Sequence, residues 1–299
     1  MAAPLVIGLD LGGTKILSGL VDRDGNVVAE REVDTPGESQ DAVLAALDVA
    51  VEAFLDDSVA AIGYGIPARL ERGTGLVLKA VNLPLENVDL AARSKERYGL
   101  PVGVDNDGSV AALAEWKRGA GRGAMNLVML TLGTGVGGGI VVDGRLFRGW
   151  AELGHVVVQE GGPACACGGK GHLEALASGP AADRKARDLY GADADARTLI
   201  EKAEGGDARA REALARIGES LGAAIGSLVN IFDPEVFVIG GGFGAAAGEL
   251  VLGPARVAAR REAMPPADET LRVVAAELGA EAGLVGAALV GFEALDGVR

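Results

Sequence analysis

The sequence predicts an α/β protein of two lobes, and three observations lead there. Strands and helices alternate in both halves, one strand–glycine turn–strand unit occurs twice, and 299 residues are enough for two cores. The first copy of the unit opens the chain. Residues 5–11 read as a buried strand, Gly12-Gly13-Thr14 as a turn and 16–21 as a second strand. Asp24-Gly25 is then a hairpin signal before a third strand at 27–33. The second copy lies at 126–147, NLVMLTLGTGVGGGIVVDGRLF. There Gly133 stands for Gly12, Thr131 for Asp10, and Asp143-Gly144 for the hairpin signal. A repeat at this distance marks a duplicated lobe, not a short-period solenoid.

The elements between and after the repeats follow in order. Leu44, Leu47, Val51 and Phe54 recur at helical spacing, with Ser39 placed to cap the helix. AAIGYGIPA (60–68) is a short strand running into a turn. Residues 101–118 give a strand, the triplet Asp105-Asn106-Asp107, and a helix from near Ser109. Leu214, Ile217, Leu221, Ile225, Leu228 and Phe232 form one apolar stripe on a long helix that Asp233-Pro234 ends. EVFVIGGG is a buried strand that stops at three glycines. The expected division is 1–115 and 116–299, within the loosened region 110–120, with the last helix free to pack back on the N-terminal lobe.

Composition sets limits on function. Hydrophobic residues make up 49% and charged residues 23%, as in folded soluble enzymes. A formal charge of −14 disfavours nucleic-acid partners, so a phosphate-bearing ligand must be held by backbone amides, helix termini or a metal ion. The first residues carry no basic leader pattern and no apolar run reaches membrane-spanning length, so a soluble, cytoplasmic protein is expected. Two cysteines do not suggest a disulfide scaffold.

Four segments carry chemistry. In Asp10-Leu-Gly12-Gly13-Thr14-Lys15, glycines admit close backbone approach, successive amides can point at phosphate oxygens, and Thr14 adds a hydroxyl. Beside phosphates, a carboxylate at Asp10 is suited to hold hydrated Mg²⁺. Taken alone the segment is equally a tight hairpin with a surface acid. The second copy, with Thr131, Gly133 and Thr134, favours a pair of phosphate-gripping loops. Both turns join two strands, which rules out P-loop and dinucleotide-binding readings. Gly240-Gly241-Gly242 either faces a nucleoside or forms a tight strand–helix corner. Asp107, after a strand and ahead of a helix, is a candidate base for an alcohol nucleophile, and Asn106 beside it offers both donor and acceptor. The same triplet also reads as an Asx-turn and helix cap.

The fourth segment holds Glu152, His155, Cys165, Cys167, His172 and Glu174. Both histidines and both cysteines of the chain lie in it. Two thiolates and two imidazoles suit a tetrahedral Zn²⁺, Cys-x-Cys is too short for an easy disulfide, and four protein ligands make the ion structural. Glu152 and Glu174 flank the cluster. Paired carboxylates serve glycoside hydrolysis or accept adjacent sugar hydroxyls, and nothing else here suggests a glycosidase.

Together these motifs resemble the ROK sugar kinases, and within them the bacterial glucokinases. They are DLGGTK (10–15), GIP (65–67), NLP (82–84), DND (105–107), TLGTGVGGG (131–139), ELGH (152–155), CACGGKGHLE (165–174), ASG (177–179), FDPEVFVIGGG (232–242) and AGLVGAA (282–288). The resemblance implies an actin-like ATPase (ribonuclease H-like) fold with two lobes closing on sugar and nucleotide. It implies ATP-dependent phosphorylation of glucose at the 6-hydroxyl with Asp107 as general base. By motif match, Asn82, Asn106, Asp107, Glu152, His155 and Glu174 would bind sugar. Asp10, Gly12, Gly13, Thr14, Lys15, Thr131, Gly133 and Thr134 would form the phosphate and Mg²⁺ region, and Gly240 to Gly242 the nucleoside-facing turn. His155 resembles the family histidine that meets zinc through one ring nitrogen and sugar through the other. Two positions depart: His172 stands where the family commonly has Cys, giving Cys₂His₂, and Ala68 follows GIP where glycine is frequent.

Other readings belong to the same resemblance. N-acetylmannosamine, N-acetylglucosamine, fructose or mannose could replace glucose, and polyphosphate could replace ATP, although no long basic track favours it. The family's repressors carry an N-terminal helix-turn-helix, for which a strand beginning near Leu5 leaves no room. A catalytically silent sugar-sensing protein is disfavoured by the intact Asp107 and phosphate turns. Relatives are often homodimers, an expectation by analogy.

Overall fold

In LVIGLDL, apolar side chains on alternate residues are sent to opposite faces of the first strand, β1 (Leu5–Leu11). Ile7, Leu9 and Leu11 enter one core and Val6 another. The computed structural model describes residues 3–80 and 82–298. It divides into two units: residues up to Arg118 with Leu146–Trp150 and the segment from Glu281, and Gly119–Arg145 with Ala151–Ala280.

In the first unit β1 is followed by β2 (Lys15–Val21), β3 (Val27–Asp34), α1 (Gln40–Glu52), β4 (Val59–Ile66), β5 (Ala68–Leu70), β6 (Leu76–Ala80), β7 (Glu86–Asp89), α2 (Leu90–Tyr98), β8 (Val102–Asn106) and α3 (Asp107–Arg118). The main sheet has the order β3-β2-β1-β4-β8. The hairpin strands pair antiparallel, while β1–β4 and β4–β8 pair parallel. Strands β5, β6 and β7 make a small antiparallel sheet that the sequence reading did not include. Ser39 caps α1 by accepting the Ala42 N–H at 3.2 Å; the helix ends at Glu52, so Phe54 lies beyond it.

The second unit holds β9 (Leu127–Leu132), β10 (Val136–Val142), β11 (Arg145–Leu146, at the edge where the chain changes unit), α4 (Leu173–Ala177), α5 (Gly179–Tyr190), α6 (Ala196–Glu204), α7 (Ala208–Phe232), β12 (Val236–Gly240), α8 (Gly242–Ala247), α9 (Glu249–Glu262), α10 (Ala267–Thr270) and β13 (Val273–Ala275). Its sheet order is β11-β10-β9-β12-β13, with β9–β10 antiparallel and β9–β12 and β12–β13 parallel. The stripe read from sequence buries Leu214, Ile217, Leu221, Ile225 and Leu228 in this unit's core. Asp233 ends α7 in the left-handed conformation at φ 42°. A second feature of α7 was not read. Gly218, Gly222 and Gly226, four residues apart, let its backbone approach α9 so closely that a Cβ at Gly222 would stand 2.4 Å from the Ala255 carbonyl oxygen.

The last helix, α11 (Ala282–Leu295), belongs to the first unit and lies on the sheet face carrying Val6 and Ala61. Backbone meets backbone here too: a Cβ at Gly63 would fall 1.8 Å from the Ala287 carbonyl oxygen. Substituting either partner of such a contact forces main chain to move. No helix among the described residues is long and apolar enough to cross a membrane.

Candidate active site

The parallel strands of the first unit bring the proposed residues to one sheet edge. Asp10, at the carboxyl end of β1, is in register with Gly65 on β4, and Gly65 with Asp105 on β8. Asp10 lies on the same face as Val6 and Gly8, under the start of α11. A Cβ at Gly283 would sit 2.0 Å from an Asp10 carboxylate oxygen, so any larger residue there must displace that carboxylate. Burial, with the Asp107 charge added, pushes the Asp10 carboxyl up to about 7. Two acids brought together at this partly buried edge form a ready site for a dication, which would relieve both effects.

The turn after β1 is held from behind. The Gly12 N–H donates to the Lys15 carbonyl at 2.8 Å, the Thr35 hydroxyl to the Gly12 carbonyl at 2.9 Å, and the Thr35 N–H to the Thr14 carbonyl at 2.9 Å. Gly13 and Thr14 are exposed, and among the described residues their amides make no intramolecular hydrogen bond. Lys15 is exposed and ion-paired with Glu32 on β3, whose hydrogen bond and charge raise the Lys15 pKa.

Helix α3 starts at Asp107, two residues earlier than the sequence reading had it, because Asn106 supplies the cap. Its side-chain oxygen accepts the Gly108 N–H at 2.9 Å and the Ser109 N–H at 3.3 Å, and its amide nitrogen donates to the Ala68 carbonyl at 3.3 Å. The capping and catalytic readings of the triplet are therefore compatible. Asn106 does the capping, Asp107 opens the helix, and one amide hydrogen of Asn106 remains for a ligand. Asp107 also accepts the Gly108 N–H at 2.9 Å. Asn82 stands exposed in the turn between β6 and β7.

In the second unit, Thr131 and Gly240 are register partners across β9 and β12. The phosphate-like turn and the glycine triplet thus occupy one sheet edge. Gly241, at φ 84°, presses against the Leu132 backbone, and α8 follows from Gly242. The turn itself closes with the Gly133 N–H donating to the Gly135 carbonyl at 2.9 Å, and the Gly179 N–H donates to the Gly133 carbonyl at 2.9 Å. Thr134 is exposed at its tip.

The four proposed metal ligands come together in this unit. The ligand atoms of His155, Cys165, Cys167 and His172 all lie within 4.8 Å of one another. Cys165 Sγ is 3.8 Å from His155 Nδ1, and Cys167 Sγ is 3.1 Å from His172 Nδ1. A zinc tetrahedron with bonds of about 2.0–2.3 Å has ligand–ligand edges of about 3.3–3.8 Å. Distances here from 3.1 Å up to within 4.8 Å bracket that range, and the two-thiol, two-imidazole donor set fits the ion. His172 precedes the first residue of α4, and its ring fills the space a Cβ on Gly169 would take, 2.3 Å from Cε1. That glycine accommodates an imidazole where relatives were expected to carry a smaller thiol. Burial, followed by contact with Cys167 and Glu174, pushes the Cys165 thiol up to about 11; a bound dication reverses this by holding the thiolate.

His155 has its Nε2 3.9 Å from a Glu152 carboxylate oxygen, while Nδ1 faces Cys165. Glu174 bridges two features: one oxygen accepts the Val136 N–H at 3.1 Å, just after the glycine turn, and the other accepts from the Cys165 thiol at 3.5 Å. Sequence reasoning missed both this bridge and Gly283. For Gly283 a signal existed in AGLVGAA; for the bridge none did, because it joins residues 38 apart.

The ROK family profile matches residues 6–292. This chain belongs to the ROK family. It is 37% identical to a glucokinase of Thermotoga maritima, across 98% of both chains. Among solved structures it is similar to a ROK family glucokinase from Streptomyces griseus in complex with glucose and AMPPNP. The TM-score is 0.85 and the identity 35%, over 97% of this chain and 99% of that one. A ROK hexokinase from Thermus thermophilus gives a TM-score of 0.86 and 38% identity, over 98% and 99%. The fold of this ROK protein is the actin-like ATPase fold that these relatives share.

Proposed function

We propose that this protein is an ATP-dependent glucokinase that phosphorylates the sugar at its 6-hydroxyl. The observation that carries the proposal is its full-length likeness to glucokinases, one of them solved with glucose and AMPPNP. The 6-hydroxyl oxygen attacks the γ-phosphorus, the bond from phosphorus to the bridging oxygen of ADP breaks, and the hydroxyl proton passes to Asp107. A carboxylate is a weak base, but in a loose transition state the proton leaves late, so a weak base suffices.

In the first unit Asn106 would donate to a sugar hydroxyl through its remaining amide hydrogen, Asn82 would contribute from its turn, and Gly13 and Thr14 would offer amides to phosphate. Asp10 would hold Mg²⁺ through its water shell; the ion when bound neutralises phosphate charge. In the second unit the turn at Thr131, Gly133 and Thr134 would receive phosphate oxygens and Gly240 to Gly242 the nucleoside. Glu152, His155 and Glu174 would accept or donate to sugar hydroxyls. His155, Cys165, Cys167 and His172 would hold zinc, which when bound fixes the loop and the orientation of the His155 ring. The reading also carries a cytoplasmic location and a homodimer, the latter checked by light scattering.

The test is a panel of hexoses with ATP and Mg²⁺, read by coupled ADP release. Glucose is expected to give the highest kcat/KM; preference for N-acetylmannosamine or another hexose would move the protein elsewhere among sugar kinases. Absence of turnover with every sugar would leave a sugar-sensing role in place of catalysis.

A further inference from the structure

Five residues, Leu146–Trp150, belong to the first unit although the chain on either side of them belongs to the second. What ties them down is specific. Leu146 packs against Val110, Leu113 and Val290, and the Trp150 indole N–H donates to the Leu70 carbonyl at 3.2 Å, with the Arg69 guanidinium over its ring at 5.3 Å. Between these anchors Arg148 forks. One terminal nitrogen binds an Asp105 carboxylate oxygen and the other a Glu293 oxygen on α11.

An exposed ion pair would carry little meaning. This one is different, since the Asp105 side chain is only 13% exposed and a carboxylate withdrawn from water needs a partner. From Asp105 the path to the reacting residue is short. Its other oxygen accepts the Asn106 N–H at 2.8 Å, and Asn106 caps α3 through the amides of Gly108 and Ser109. Those bonds set the first turn of the helix that Asp107 begins.

We infer that Arg148 is a positioning residue for Asp107, acting through Asp105 and Asn106. The inference rests on the kinase reading above. Without the guanidinium, the Asp105 carboxylate loses its Arg148 cation beside the cap, and the cap shifts as that carboxylate takes on water instead. A displacement of the order of 1 Å in a reacting group can cost about a hundredfold in rate.

The experiment is a double-mutant cycle of Arg148→Gln and Asp105→Asn, measured well below the melting temperature of each variant. Each single change should lower kcat about ten- to a hundredfold with KM for ATP unchanged, and the double variant should be no worse than the singles, since both break one path. Arg148→Lys, which keeps a cation, should recover part of kcat. Arg23→Gln removes an exposed ion pair with Asp296, the C-cap residue just past α11, and should leave kcat at the wild-type level. A folded Arg148→Gln protein with kcat within about twofold of wild type overturns the inference, and so do single losses that multiply in the double variant. Hydrogen exchange of residues 105–110 supplies a readout free of turnover. It should quicken in Arg148→Gln and stay unchanged in Arg23→Gln. Should the wild type phosphorylate no sugar, the kinase reading fails, while unchanged exchange in Arg148→Gln separately overturns the Arg148 assignment.

Discussion

The two glycine turns occupy equivalent places in two sheets of the same order. In each sheet an antiparallel hairpin has two parallel strands on one side, and the second-last residue of the hairpin's first strand pairs with a glycine: Asp10 with Gly65, Thr131 with Gly240. Their details differ. The first turn is one residue longer, closing between Leu11 and Ile16 where the second closes between Leu132 and Val136. Thr35 braces the first; the Gly179 amide and the Glu174 carboxylate brace the second. Above all, the first carries a partly buried acid near another acid, and the second a neutral hydroxyl. One scaffold, used twice, carries an acid before one turn and a neutral hydroxyl before the other.

That asymmetry can be broken experimentally, most severely at the proposed base. Asp107→Asn should lower kcat by about 10³-fold or more while glucose still binds, as calorimetry would show; kcat within about tenfold of wild type would remove Asp107 from the chemistry. Next comes the direct comparison of the turns. Asp10→Asn should lower kcat/KM for ATP about a hundredfold and Thr131→Val only about tenfold, because the loss of a metal-holding charge exceeds that of one hydrogen bond. Equal losses would mean that the copies share one role.

The same acid gives a stability prediction with a definite sign. Asp10 in the folded protein titrates near 7, above an ordinary carboxylate, so the folded form binds this proton more tightly than the unfolded one. Ionising it therefore costs stability as pH rises from the ordinary carboxylate range through about 7. In Mg²⁺-free buffer, Asp10→Asn should raise Tm at pH 8, and the gain should shrink as pH falls below about 7. A variant that melts below wild type at pH 8 would contradict this environment for Asp10.

The second unit has its own test. Metal analysis should find about one zinc per chain, and chelation should lower both Tm and glucose affinity, the latter about tenfold, as expected when ligand residues also orient substrate. Metal-free protein with unaltered melting and sugar binding would sink the zinc assignment. The smallest effect is expected at Gly283→Ala. The added methyl meets the Asp10 carboxylate and should cost about 1–3 kcal/mol in chemical denaturation; a neutral result would show that α11 can yield at its first turn.

Much of this was legible before any coordinates. Both turns, the long helix with its cap at Asp233, and the Cys/His cluster announce themselves through short-range signals: glycine at tight turns, period-2 and period-3.6 apolar spacing, and rare residue types gathered in one segment. The start of α3 was misplaced because Asn106 and Ser109 are both good caps, and only the hydrogen bonds to Gly108 and Ser109 choose between them. The small sheet β5–β7 has strands too short for a convincing alternation.

By itself, then, the sequence named the candidates: the loops proposed to meet phosphate, the four side chains proposed to hold a metal, and the carboxylate proposed to take a proton. Tertiary structure decided what surrounds them. The pressure of Gly283 on Asp10, the Glu174 bridge from the thiol to the second turn, and the Arg148 fork onto Asp105 and Glu293 all join residues far apart in the chain. Such contacts leave no periodic trace, because each depends on where packed backbones bring two distant side chains, and burial then sets how strongly their charges act.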